Sequence, residues 1–169
     1  MKFINIKMLQ DMIALYLLLT LGVFVVMEGI TWLTHKYVMH GFMWYFHRDH
    51  HAPAHKMLEK NDLFFLIFAT PSFLLMLSGA GAGFDWRFFT GLGIMLYGIA
   101  YFLVHDVLIH QRFSWFRRTD NIYFRALRKA HKVHHKHLGK EEGECFGMLF
   151  VPLRYFREAI VYKKNLHKK

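Results

Sequence analysis

The sequence predicts an all-α integral membrane protein, a small bundle of about three spanning helices with a helical, histidine-rich metal site on its cytoplasmic side. Three observations lead there. The 169 residues are 54% hydrophobic, with 18 Phe, 10 Met, 8 Tyr and 4 Trp, which is too apolar for an ordinary soluble fold. The apolar residues gather into three runs, each long enough to cross a hydrocarbon core of about 30 Å. Of the 13 histidines, ten form a duplicated pattern that follows the ends of these runs.

The first run, residues 8–34, is interrupted only by Gln10, Asp11, Glu28 and a few hydroxyl groups, and at about 1.5 Å per residue it spans with some tilt. It is too long for a signal peptide and shows no small-residue cleavage site, and cleavage would remove it from the histidines that follow directly. Residues 35–62 are the first metal-site segment; Pro53 should break the helix bearing its histidine triplet, and Asn61 should cap the next helix. The second span, 63–80, contains Pro71, which membrane helices tolerate, often with a kink. The stretch GAGAGFDWR, residues 79–87, looks like a dinucleotide loop only superficially, since no strand precedes it. It reads as the turn of a helical hairpin with Trp86 at the membrane interface. The third span, 88–104, carries Gly91, Gly93 and Gly98, whose missing side chains allow close helix packing. Residues 105–155 form the second metal-site segment, and the apolar stretch 146–152 inside it is too short to span. By length, 1–169 is a single membrane-embedded domain.

Charge sets the expected orientation. Residues 111–169 hold 15 of the 22 Lys and Arg, so the C-terminal part should be cytoplasmic, and three spans then put the 79–87 turn outside and both histidine segments inside. The net charge of +10 does not read as nucleic-acid binding, because the basic residues flank apolar spans and form no recognisable binding motif. Anionic lipid headgroups or an acidic protein partner explain it better.

The histidines carry the chemistry. His35, His40, His47, His50 and His51 fall within seventeen positions, and His105, His110, His131, His134 and His135 repeat the arrangement of a pair and a triplet. On an α-helix, positions i, i+3 and i+4 share a face, so each triplet is a ready-made set of imidazole ligands. The i, i+5 pairs would lie roughly 140° apart on an α-helix, an arrangement that straddles a site more naturally than it chelates one ion. Catalytic zinc keeps about three protein ligands and an open position, so ten imidazoles point to two ions with four or five nitrogens each. Cys145 is the only cysteine, which excludes an intrachain disulfide and a cysteine-based cluster. Neutral imidazoles suit Zn, Cu, Fe or Ni. His55, His137 and His167 stand outside the pattern and read as ordinary histidines. Among the acidic residues, Asp49 and Asp106 adjoin motif histidines and could accept the distal N–H of an imidazole, and Glu28, seven residues before His35 and at most two turns deeper into the bilayer, where an ionisable group is costly and usually functional, is a third candidate to support the site.

HKYVMHGF, HRDHHAP, EKNDLFFLIFAT, YFLVHDVLIHQR, AHKVHH and FGMLFVP resemble, in order and spacing, the bacterial non-haem di-iron β-carotene hydroxylases of the fatty-acid hydroxylase superfamily, over roughly residues 20–155. The resemblance implies a bacterial inner-membrane monooxygenase that hydroxylates C3 of β-ionone rings, turning β-carotene into zeaxanthin by way of β-cryptoxanthin. It implies two Fe ions, for which Zn or Ni can substitute in purified protein, O₂ as co-substrate, and all ten motif histidines as ligands. With no flavin or nicotinamide motif, electrons should come from a separate carrier such as a ferredoxin, docking on a basic face that includes Arg117, Arg118, Arg125 and Arg128. Related lipid or fatty-acid hydroxylases and desaturases share such histidine boxes. A metal transporter fits less well, because transporters place ligands near the bilayer midplane.

Overall fold

The computed structural model describes residues 6–52, 58–113, 115, 119–139, 141 and 143–166. Pro53, His55, Arg117, Arg118 and His167 lie outside the described residues. Those described form helices, turns and irregular segments and no strand. In chain order the α-helices are α1 (Ile6–Leu33), α2 (Trp44–His47), α3 (Leu63–Gly81), α4 (Trp86–Phe102), α5 (Ile122–His134) and α6 (Leu153–Leu166). Two π-helical segments, Thr34–Phe42 and Leu103–Ile109, continue α1 and α4, and a 3₁₀ turn, Lys60–Asp62, precedes α3. Three helical stretches, Ile6–Phe42, Lys60–Gly81 and Trp86–Ile109, are long and apolar enough to cross a membrane.

The chain divides into two compact units. The first, Met1–Met27 with Phe64–Ile99, holds most of the apolar length. Leu15, Leu17, Leu18 and Phe73 point outward with more than 60% of their surface exposed, as lipid-facing side chains do. Its helices approach closely where side chains are small: a Cβ on Gly91 would sit 2.6 Å from the Ser72 carbonyl oxygen, and one on Gly93 would sit 2.7 Å from that of Thr20. Gly98, expected to serve the same purpose, has nothing within 4 Å of such a Cβ and faces open space. Hydroxyl groups inside the unit find backbone acceptors: Ser72 Oγ donates to the Gly91 carbonyl at 2.8 Å, and Thr20 Oγ1 to the Tyr16 carbonyl at 2.9 Å. Tyr16 stacks on Phe89 with ring centroids 4.4 Å apart. Helix α3 runs through Pro71 without interruption. After Gly81 the chain turns tightly, with Gly83 and Phe84 at positive φ and the Phe84 N–H donating to the Gly79 carbonyl at 2.8 Å, a helix-closing bond; Trp86 at the start of α4 is exposed.

The second unit comprises Glu28–Leu63 and Ala100–Lys169. Here α5 begins at Asn121, whose side-chain oxygen accepts the Phe124 N–H at 3.2 Å. Helices α5 and α6 pack through small residues, Ala126, Ala130 and Ala159, around Tyr155. Two sequence expectations are corrected here. The helix bearing the first triplet ends at His47, and His50 and His51 lie in the turns that follow, closed by His50 N–H to the His47 carbonyl at 3.1 Å. Asn61 does not cap α3: it is buried inside the 3₁₀ turn, where Asp62 Oδ2 accepts the Glu59 N–H at 3.0 Å.

Candidate metal centre

The second unit gathers nine of the ten motif histidines into two groups. His35, His40, His47, His51 and His134 form one, and His50, His105, His110 and His131 the other; within each group the ligand nitrogens all lie within 4.8 Å of one another. Both groups draw on both halves of the sequence. His135 joins neither set, yet its Nε2 lies 2.8 Å from that of His131 and its ring stacks on His51 at 4.3 Å.

This arrangement overturns two expectations about spacing. The triplets are split, since His50 parts from His47 and His51, and His131 from His134. The i, i+5 pairs, expected to straddle, stay together: the rings of His35 and His40 are 5.1 Å apart and those of His105 and His110 are 4.5 Å apart. The reason is the π-helix. Its hydrogen bonds run from N–H of i+5 to C=O of i, as His110 N–H does to the His105 carbonyl at 2.9 Å, so residues five apart stack as residues four apart do in an α-helix.

The outer nitrogens fix the inner ones. Nδ1 of His35, His40 and His134 donates to the carbonyls of Phe146, Leu138 and Glu144 at 2.9, 2.9 and 3.0 Å, and Nδ1 of His47 donates to Asn61 Oδ1 at 2.7 Å. A carbonyl oxygen only accepts, so the proton sits on Nδ1 and the lone pair on Nε2. Yet Nε2 of His35 faces Nε2 of His47 at 3.0 Å, and Nε2 of His40 faces that of His134 at 3.2 Å. Two lone pairs at that distance repel unless a cation lies between them. Extra protons are a poor remedy here. Burial, joined by neighbouring imidazoles, holds His134, His50 and His131 below the usual imidazole range, and burial brings His47 down to about 3 against the opposing pull of Asn61. A metal with nitrogen bonds of about 2.0–2.1 Å sets its ligand nitrogens roughly 3.0–3.4 Å apart, and the donor set fits that spacing. His35, His47, His50 and His134 are at most 1% exposed, so these four donors are shut off from water, while His51 and His110 are half-buried.

Of the acidic residues, Asp106 lies at an imidazole as expected and Asp49 does not. Asp106 Oδ2 reaches His105 Nδ1 at 3.4 Å, a long contact. Asp49 instead accepts the Lys60 backbone N–H at 2.7 Å. Glu28 accepts the N–H groups of Leu149 and Phe150 at 2.8 and 3.1 Å and so ties down the irregular chain that follows the histidines. That tie matters because Phe146, 1% exposed, packs its ring within 5.5 Å of those of His35, His40 and His134 while its carbonyl binds His35. Sequence reasoning missed Glu59, whose Oε2 accepts from His50 Nδ1 at 2.9 Å, and missed Asn61 as the partner of His47. Both belong to EKND, which lies next to the histidine segment.

The fatty acid hydroxylase family matches residues 20–155. Among curated proteins, the chain is 39% identical over 143 residues to the β-carotene hydroxylase of Pseudescherichia vulneris, covering 83% of this chain and 80% of that protein. It is 40% identical over 126 residues to the β-carotene hydroxylase of Pantoea ananas, covering 75% and 71% respectively. The chloroplastic β-carotene 3-hydroxylase of Gentiana lutea is 36% identical over 137 residues, 79% of this chain and 42% of that longer protein. No solved structure matches the chain. With the match covering all ten motif histidines and both spans that follow α1, the chain belongs to the fatty acid hydroxylase family.

Proposed function

We propose that residues 1–169 act as one membrane-embedded carotenoid hydroxylase that places OH on C3 of β-ionone rings, converting β-carotene to zeaxanthin by way of β-cryptoxanthin. The observation that carries this reading is the pair of facing Nε2 lone pairs at 3.0 and 3.2 Å, which calls for metal, in a chain whose relatives bear the name β-carotene hydroxylase. The ligands in this reading are His35, His40, His47, His51 and His134 for one ion and His50, His105, His110 and His131 for the other, with His135 available between them. Two iron ions held there would supply the O₂ activation that C–H hydroxylation requires, one oxygen atom going to the ring and the other to water, with two electrons from outside the chain. The residues around them do the positioning: carbonyl and amide oxygens lock the Nδ1–H of His35, His40, His47 and His134 and so aim those Nε2 atoms inward. Regiochemistry follows from which ring carbon comes within near-attack distance, not from intrinsic C–H reactivity.

Expression in cells that accumulate β-carotene, with pigment extraction under ¹⁸O₂, tests the reading. Zeaxanthin and its mono-hydroxylated precursor carrying ¹⁸O are expected; a ketone at C4, a new double bond without oxygen, or unchanged pigment in iron-replete, reductant-supplied cells would reject it.

We also infer a bacterial inner-membrane location with the C-terminus cytoplasmic, from the 15 basic residues after position 110. A reporter fused after the last residue should be active in the cytoplasm, and a periplasmic signal would reverse the topology. Electrons then come from an acidic soluble carrier of the ferredoxin kind. Arg125 and Arg128 have duties within the fold, since Arg128 Nε donates to the Leu108 carbonyl at 2.8 Å and Arg125 lies 4.0 Å from the Tyr162 ring centroid. The exposed Lys132 and Lys136 on and just after α5 are therefore the better probes. Changing both to Glu should slow ferredoxin-driven turnover and spare turnover with a chemical reductant; equal loss in both assays would remove the docking role.

A further inference from the structure

Arg112 is a half-buried cation among three carboxylates. Its Nη2 lies 2.6 Å from Glu59 Oε2, its Nη1 3.0 Å from Asp62 Oδ1 and its Nε 3.2 Å from Asp106 Oδ1. Only the Asp62 contact has hydrogen-bond geometry, and the other two are charge contacts. Each carboxylate leads back to the four-histidine group. Glu59 Oε2 accepts from His50 Nδ1 at 2.9 Å, Asp106 Oδ2 reaches His105 Nδ1 at 3.4 Å, and Asp62 holds the peptide N–H of Glu59 at 3.0 Å. In the five-histidine group, by contrast, the acceptors at Nδ1 of His35, His40, His47 and His134 are all neutral oxygens.

The backbone is shaped to deliver this guanidinium. The π-helical turn closes with His110 N–H on the His105 carbonyl, Gln111 takes the left-handed region at φ 54°, and Arg112 N–H returns to the Asp106 carbonyl at 3.0 Å. A glutamine at that φ is uncommon and persists only where its surroundings hold it. Here the surroundings are the three carboxylates that Arg112 meets once the chain has turned.

We propose that Arg112 is a positioning residue for the four-histidine group: it holds Glu59 and Asp106 against His50 and His105, strengthens those two imidazoles as donors and makes the two metal positions chemically unequal. A carboxylate that accepts the outer N–H fixes the tautomer of a ligand histidine and raises its basicity. Without the guanidinium, two inward-facing carboxylates would repel, and Glu59, whose side chain is 2% exposed, could not turn to water. Lysine cannot replace it, since a point charge does not reach three partners at once.

The inference rests on the reading that each group holds one ion, and the test separates the two. Full-length protein in detergent is titrated anaerobically with ⁵⁷Fe(II), and iron per chain and Mössbauer spectra are recorded. The wild type should bind two irons with two distinct quadrupole doublets. Arg112→Gln and Glu59→Gln should each weaken one iron by roughly 10- to 100-fold and alter one doublet only. Asn61→Ala, which removes the neutral acceptor of His47, should alter the other doublet. Arg112→Lys should fall between Arg112→Gln and the wild type. Should Arg112→Gln fail to fold, Glu59→Gln and Asp106→Asn, with helix content checked by circular dichroism, decide the matter. Two irons at wild-type affinity with unchanged doublets in the carboxylate variants, or loss of both irons together, overturns the positioning role. A wild type that binds fewer than two irons overturns the two-ion reading itself.

Discussion

The two units of this chain are built on opposite principles. In the unit of Met1–Met27 and Phe64–Ile99, large apolar side chains turn outward and the interior contacts are made by glycine, serine and threonine against backbone. In the unit of Glu28–Leu63 and Ala100–Lys169, imidazoles turn inward together with apolar side chains: His35, His47, His50, His105, His131 and His134 are all buried, beside Phe146 and an apolar seam of Ala126, Ala130, Tyr155 and Ala159. The difference follows from solvent. Where lipid is the solvent, apolar surface has no reason to hide, and close backbone approach supplies the packing. A polar interior is tolerated only when each group is satisfied or a metal completes it. The first kind of unit should therefore respond to added volume, and the second to removed polarity.

The largest effect is expected from deleting a donor. Replacing His50 or His134 with Ala should take pigment conversion to the level of cells lacking the protein and lower the metal content per chain, because catalytic ions need their full donor set. Metal analysis must accompany the assay, since Zn or Ni competes well at nitrogen sites and, under the proposed iron chemistry, would leave the wild type inactive too. If both variants convert β-carotene at the wild-type rate, the histidine unit is not where the chemistry occurs.

Glu28 should come next, and it sharpens the comparison because it sits on a spanning helix yet serves the polar unit. Its carboxylate accepts two backbone N–H groups, Leu149 and Phe150, and a Cβ on Gly147 would meet Glu28 Oε1 at 2.6 Å. Hydrogen bonds to a carboxylate acceptor contribute about 1.5–3 kcal/mol each, so Glu28→Ala, which removes the acceptor of two, should destabilise the chain by about 3–6 kcal/mol and leave Phe146 less well placed against His35. Hydrogen exchange at Leu149 and Phe150 reads this directly: protection in the variant equal to wild type would mean that the loop is held by other contacts.

The same contrast explains what could be read in advance. Spans are legible because hydropathy and length are local properties, and 8–34, 63–80 and 88–104 fall inside the helical stretches observed. The histidines were legible as a set for the same reason, being close in sequence. Their grouping was not, since it depends on two π-helical turns and on α2 stopping at His47. The repeated i, i+5 interval of His35/His40 and His105/His110 was the available signal, for it is the hydrogen-bonding interval of a π-helix. The partners at Nδ1 were harder still: Phe146 lies 111 residues from His35 and contributes a backbone carbonyl, and every residue has one of those.

The smallest effects distinguish glycines that the sequence makes look alike. Gly93 and Gly98 lie on one helix, and both were expected to admit a neighbour, but only Gly93 does, with Thr20 O and Val23 inside the space a Cβ would take. Gly93→Ala should therefore push α1 and α4 apart within their unit, at a cost of about 1–3 kcal/mol for overpacking. Gly98→Ala meets nothing within 4 Å, and a helical glycine replaced by alanine gains about 0.5–1 kcal/mol of backbone entropy. Thermal unfolding of the two variants in the same detergent should move in opposite directions, with iron content unchanged in Gly98→Ala because that position lies in the apolar unit and not among the histidines. Equal shifts of the same sign would mean that helix propensity, and not the approach of Thr20, decides what these glycines are for.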